Sequence, residues 1–172
     1  NAGEFLDAGA SHVIVTSYVF RDGQIRYDHL RKLKDAVGKE HLVLDVSCRR
    51  RGEKYYVVTD RWQKFTDVEM REELLERLTP YCAEFLVHAV DVEGKTSGIE
   101  EGVVRMLGCT KGLPVTYAGG VSDYRDLEKL ETLGQGRVDV TIGSALDLFG
   151  GKLEYRKIPG FIRGLKSRDK GK

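Results

Sequence analysis

The feature that most constrains this chain is a regular alternation of short β-branched runs with longer amphipathic stretches. Residues 12–16 (HVIVT) read as a strand, and residues 27–37 as a helix with Leu30, Leu33 and Val37 on one face. Residues 41–46 (HLVLDV) form a nearly continuous apolar strand, the pattern of one covered on both faces. A helix is expected from about residue 68 to residue 78, closed by Pro80. Residues 84–88, 114–117 and 138–142 read as strands. Residues 99–107 and 122–133 read as helices, the second with Ser122 as N-cap, and a short helical segment is expected from Ala145. Strands joined in this way by helices imply a parallel sheet, because right-handed crossovers lay the helices over its faces. Five such strands suit either a small doubly wound sheet or the later part of an eight-stranded barrel. Two details favour the barrel. Polar candidates stand at the C-terminal ends of several strands rather than at one switch point, and residues 14–20 (IVTSYVF) echo residues 141–147 (TIGSALD).

A chain of 172 residues is long enough for one domain with its own core, and 41% apolar against 32% charged residues argues for a globular one. A net charge of +1 gives no reason to expect a nucleic-acid partner. From Arg156 onward the basic residues Arg163, Lys166, Arg168, Lys170 and Lys172 face only Asp169, which reads as a solvated basic tail, partly helical, over residues 152–172. Cys48, Cys82 and Cys109 are too few and too scattered for a disulfide framework and have no metal-ligand spacing. With no membrane-length apolar run and no secretory signal, an intracellular soluble protein is expected, in cytoplasm or plastid stroma. The sequence begins with Asn1, inside a helical stretch, so an N-terminal part is expected to precede it.

Several residues stand where chemistry is done. Gly119-Gly120 and Gly143-Ser144 each follow a strand and precede a helical stretch. Glycine lets a phosphate approach the backbone, and helix N-terminal amides supply donors, although one such glycine alone need only tighten a turn. Asp45 ends an otherwise apolar strand, where burial costs several kcal/mol unless something polar uses the carboxyl. Such a group suits general acid or base work, or else caps the next loop through Ser47. His88 ends its own strand at the same level, with Asp91 three residues on. The stretch from Arg49 to Thr66 is long for a strand-to-helix loop, so a lid or binding loop is expected, residues 54–59 forming a small strand over the mouth. It carries Trp62, the sole tryptophan, and the run Arg49, Arg50, Arg51, which suits an anion or plain solvent.

These segments resemble a known family. Residues 13–20 (VIVTSYVF), 42–50 (LVLDVSCRR), 59–67 (TDRWQKFTD), 88–99 (HAVDVEGKTSGI), 115–121 (VTYAGGV) and 136–151 (GRVDVTIGSALDLFGG) are similar, in order, to the eukaryotic branch of phosphoribosylformimino-aminoimidazole carboxamide ribotide (ProFAR) isomerases. The resemblance implies that residues 1–151 are about strands 4 to 8 of a (β/α)8 TIM barrel. It implies an Amadori rearrangement of an aminoaldose to an aminoketose in histidine biosynthesis, without metal or organic cofactor, on a bis-phosphorylated ribonucleotide.

By that resemblance Asp45 is one of two catalytic acids, the other lying on the barrel's first strand, outside this sequence. Gly119, Gly120, Gly143 and Ser144 match the second phosphate site, while Thr16 and Ser17 lie near the first. Trp62 matches the aromatic that covers the substrate, while Asp91, without a counterpart in many bacterial members, is a binding candidate by its place three residues beyond His88. His88 replaces the threonine of many bacterial members, as a second catalytic candidate. Two other readings are carried: the sister cyclase of the same pathway (the imidazole glycerol phosphate synthase cyclase subunit), and a non-catalytic phosphate-binding half-barrel module. A monomer is expected of the full-length enzyme, and inactivity, with self-association, of the 172 residues alone.

Overall fold

The computed structural model describes residues 1–95 and 97–169. Helix α1 (Ala2–Asp7) leads into β1 (Val13–Val15), and the small hairpin of β2 (Phe20–Arg21) and β3 (Gln24–Ile25) precedes α2 (Tyr27–Val37). Then come β4 (Leu42–Arg51), β5 (Lys54–Thr59), β6 (Lys64–Glu69) and α3 (Glu72–Leu78). Three further units follow: β7 (Glu84–Ala89) with α4 (Glu101–Cys109), β8 (Val115–Ala118) with α5 (Tyr124–Leu133), and β9 (Val138–Thr141) with α6 (Ile158–Asp169).

Five strands run parallel in the order β1-β4-β7-β8-β9, part of the sheet of a (β/α)8 barrel. Along β7 the side chains alternate strictly. Phe85, Val87 and Ala89 are buried, whereas Glu84, Leu86 and His88 are half-buried. The period of two puts the first set under the helices and the second on the concave face. Leu30, Leu75, Leu78, Val103, Leu107, Leu127 and Leu130 close the core from the helix side. Each such aliphatic side chain stabilises the fold by about 1.5–3 kcal/mol on burial.

β4 explains how the fold builds a wall beside its mouth. Leu42–Leu44 pair with β1, and further along β4, Cys48–Arg51 pair with β5 in the antiparallel sense. β5 and β6 therefore form a hairpin standing beyond the C-terminal end of β1. The expected excursion is this hairpin, with residues 54–59 as its first strand. The expected helix at residues 68–78 begins only at Glu72, because Lys64–Glu69 is the second.

Two other boundaries move. α5 starts at Tyr124, capped by Asp123 in a reciprocal box with Asp126, and Ser122 instead donates its hydroxyl to Asp126 at 2.6 Å. The expected helical segment after Ala145 is a single 3-10 turn at Asp147–Phe149. Within the basic tail, α6 lays Phe161 against Tyr124 of α5, ring centroids 4.8 Å apart, and buries Ile158; residues 170–172 lie outside the described residues. Among the described residues β1 and β9 each pair with one neighbour, so the sheet is open at both ends. A largely apolar cavity of about 620 Å³ runs along the β1 edge, lined by Phe5, Ile14, Leu33 and Val37 and reaching Thr16 and Ser17 at one end.

Candidate active site

Asp45, Ser47 and Arg49 are spaced two apart on β4 and so share a face. Each is tied to a different element. Asp45 Oδ1 lies 2.8 Å from His88 Nδ1 on the neighbouring strand β7. This hydrogen bond raises the His88 pKa above its ordinary value of 6.5, against the opposing effect of burial, and the Glu93 carboxylate adds to the rise. With a proton on Nδ1, His88 donates and the Asp45 carboxylate accepts.

Ser47 Oγ accepts a hydrogen bond of 3.0 Å from Trp62 Nε1, and the indole centroid stands 6.2 Å from that of His88 at 39°. The loop carrying Trp62 joins Thr59 to Lys64, and Asp60, Arg61 and Trp62 all have positive φ, 52°, 56° and 68°. Left-handed backbone costs a non-glycine residue about 1–2 kcal/mol. This loop is therefore held in place by its contacts rather than by local preference.

Two cavities flank the Asp45–His88 pair. One, of about 340 Å³, is lined by Thr16, Ser17, Asp45, Ser47, Thr59 and Trp62. The other, of about 160 Å³, is lined by His88, Glu93, Gly119, Gly120, Gly143 and Ser144. Asp45 lines the first and His88 the second, so the hydrogen-bonded pair bridges them. The loop after β8 needs its two glycines. Gly120 has φ +74°, and a Cβ there would come within 2.1 Å of the Gly98 carbonyl oxygen; one on Gly119 would come within 2.8 Å of that of Ala89.

The phosphate donors expected from the start of the following helix are differently placed. Asp123 and Asp126 carboxylates already accept from the amides of Ser122, Arg125 and Asp126. Any anion in the smaller cavity is thus left to the glycine loops themselves.

The structure brings Thr16, Ser17, Asp45, Trp62, His88, Gly119, Gly120, Gly143 and Ser144 to the two cavities, and it does not bring Asp91 to either. The Asp91 carboxylate accepts from Arg49 Nε at 2.9 Å and from the Arg50 amide at 2.7 Å. The arginine run is likewise engaged: Arg50 pairs with Glu53, and the Arg51 guanidinium lies 4.0 Å above the Tyr56 ring. Glu93 was not singled out from the sequence, although its carboxylate lines the same cavity as His88 and the glycine loops. Its one sequence signal is position: a carboxylate five residues past a strand-end histidine and next to a glycine. Burial pushes the Cys48 and Cys82 thiols up to about 12, so neither supplies a thiolate near neutral pH.

The chain is 54% identical over 158 residues to the 1-(5-phosphoribosyl)-5-((5-phosphoribosylamino)methylideneamino) imidazole-4-carboxamide isomerase of Medicago truncatula, named as chloroplastic, covering 92% of this chain and 51% of the relative. It is 48% identical over 155 residues to the isomerase of the same name from Neurospora crassa, covering 88% of this chain and 60% of the relative. With that of Saccharomyces cerevisiae it shares 41% over 150 residues, covering 84% and 58%. The chain thus spans about half to three fifths of the length of these relatives. The family described as histidine biosynthesis protein matches residues 1–154, and the chain belongs to that family.

Proposed function

We propose that this chain supplies the greater part of the active centre of a ProFAR isomerase, an intramolecular aldose–ketose isomerase of histidine biosynthesis. One observation carries the reading: the Asp45–His88 pair sits between two cavities, one edged by hydroxyls and an indole, the other by two glycine loops. A substrate with a phosphate at each end and its reacting sugar in the middle matches that layout.

Ring opening of the aminoaldose needs a proton delivered to the ribose ring oxygen, and the rearrangement then needs the C2′ proton removed. The raised His88 pKa suits proton delivery, and the Asp45 carboxylate beside it favours the charged imidazolium and orients it. The pair is the acid of this proposal. The base is a second carboxyl, which the family resemblance puts on the barrel's first strand; Glu93, lining the His88 cavity, is the carboxylate of this chain placed to assist. No step calls on a metal or an organic cofactor.

Thr16 and Ser17 take one phosphate, and Gly119, Gly120, Gly143 and Ser144 the other, with Trp62 over the sugar and heterocycle between them. The sister cyclase shares a strand-5 aspartate and an aspartate at the place of Asp91, whose carboxylate here accepts from Arg49 and the Arg50 amide. Plastid stroma is the compartment proposed, the Medicago relative being named as chloroplastic, with cytoplasm as the alternative.

The test is turnover of ProFAR by a closed barrel in which this chain is joined to the N-terminal half of the Medicago relative. Consumption of ProFAR without ammonia or a glutaminase is expected. No rearrangement by a folded hybrid would overturn the isomerase reading.

A further inference from the structure

The segment linking β7 to α4 is fastened at two points, once to the end of β4 and once to β5 of the β5–β6 hairpin. At the first, the Asp91 carboxylate spans two successive residues of β4, taking the Arg49 guanidinium with one oxygen and the Arg50 amide with the other. At the second, Tyr55 of β5 donates its hydroxyl to Glu100 Oε1 at 2.6 Å, and the Glu100 amide in turn donates to the Tyr117 hydroxyl at 2.8 Å. Burial and the Glu100 carboxylate raise the Tyr55 phenol, which keeps it a donor. Helix α4 leaves room for that ring, since a Cβ on Gly102 would meet the Tyr55 oxygen at 2.7 Å.

These fastenings join the hairpin side of the cleft to the segment beside His88. The β7–α4 segment carries Glu93 and follows directly from His88, while the hairpin carries Trp62. Asp91 and Arg49 keep about a third of their side-chain surface, 31% and 39%. Exposed ion pairs of this kind contribute little to stability. An acceptor locked on a backbone amide is better suited to fixing geometry, because it sets where β4 ends its run and so where the hairpin leaves it. Ser47, which holds the indole, lies only two residues before Arg49.

We propose that Asp91 is a positioning residue: by clamping the end of β4 to the β7–α4 segment, with Glu100 as its companion on β5, it holds Trp62 over His88. The role given to Trp62 in catalysis rests on the isomerase reading; the clamp itself does not. The strained loop is consistent with such an outside restraint, because its left-handed residues need contacts beyond the loop to stay as they are.

Trp62 is the sole tryptophan, so its fluorescence reports on this loop alone. In the 172-residue chain, Asp91→Ala is expected to raise the acrylamide quenching constant of Trp62 about twofold and to shift its emission to the red, with far-UV circular dichroism unchanged. Asp91→Asn, which keeps an acceptor for the Arg50 amide, is expected to fall between the two. Leu130→Ala on α5 is the control: it lowers Tm and leaves quenching as in the wild type. Equal quenching in wild type and folded Asp91→Ala would overturn the proposal, as would an equal rise in Leu130→Ala. If Asp91→Ala fails to fold, Arg49→Ala decides by the same readout. In the closed barrel, Asp91→Ala is expected to raise KM several-fold with kcat held within about twofold, and that arm alone depends on the isomerase reading.

Discussion

The two walls of the cleft are built by opposite means. On one side, β8 ends in a loop of close-packed backbone, where Gly119 and Gly120 leave less than 3 Å for a side-chain carbon. On the other, the β5–β6 hairpin sets the rings of Tyr56 and Phe65 against Arg51 of β4, and its tip holds three consecutive non-glycine residues at positive φ. A wall made of backbone binds by offering amides and fails when a side chain intrudes. A wall made of side chains binds by covering, and fails when its fastenings are cut. The first is therefore intolerant of added atoms and the second of removed ones.

The centre between the walls should show the largest effect. Asp45→Asn in the closed barrel is expected to lower kcat by at least about 10²-fold, the ordinary contribution of a positioned acid–base group. Steady-state turnover of ProFAR measures it, and unchanged kcat would remove Asp45 from the acid pair. Next comes the backbone wall. Gly120→Val places a β-branched side chain at φ +74° and within 2.1 Å of a backbone oxygen, so a loss of about 2–4 kcal/mol in urea unfolding and of phosphate binding is expected. A variant as stable as the wild type that still binds inorganic phosphate would break the contrast between the walls.

A smaller effect is expected from pH. The folded His88 pKa is raised, so the stability contributed by its bond to Asp45 is fully present below the unfolded imidazole value, near 6.5. It is lost as pH rises through the higher folded value. Urea unfolding of wild type and His88→Gln between about pH 5 and 9 should converge on the alkaline side, and an NMR titration should place His88 above 6.5. In Asp45→Asn the same titration should fall back towards the ordinary range. A His88 that titrates at or below 6.5 in the wild type would contradict the pairing.

The parallel ladder and the helix faces were legible because their signals are local and periodic. Leu30 and Leu33, or Phe85 and Val87, declare their faces within one element. The hairpin was half legible. Residues 54–59 are visibly strand-like, whereas residues 64–69 lead without a break into Glu72, and the turn between the two strands has no Asn-Gly or Gly pair to mark it. Ser122 and Asp123 are both good caps, and only the reciprocal bond from Asp126 decides between them. Asp45 and His88 were visible because a polar group in an apolar strand needs a reason, although β4 does not end near Asp45 as expected but runs on to Arg51. Asp91 and Glu93 were not separable in this way. Two residues apart in one loop, they differ only in what folding sets beside them: for Asp91, two groups more than 40 positions earlier in the chain; for Glu93, the wall of a cavity.

The smallest expected effect tests whether the hairpin tip is under strain at all. Arg61 has φ 56° and an exposed side chain. Glycine there would relieve the left-handed penalty of about 1–2 kcal/mol while adding roughly 0.4–1 kcal/mol of entropy to the unfolded chain. Arg61→Gly is therefore expected to stabilise the fold by about 0.5 kcal/mol, a small rise in the urea midpoint with an unchanged slope. If the fastenings at Asp91 and Glu100 place the tip, Trp62 quenching should stay at the wild-type value even as that strain is released. If the loop's own backbone places it, the added freedom should let the indole swing out, and quenching should rise together with stability. The two walls would then differ less than their composition suggests, because the side-chain wall would also depend on a backbone constraint at its tip.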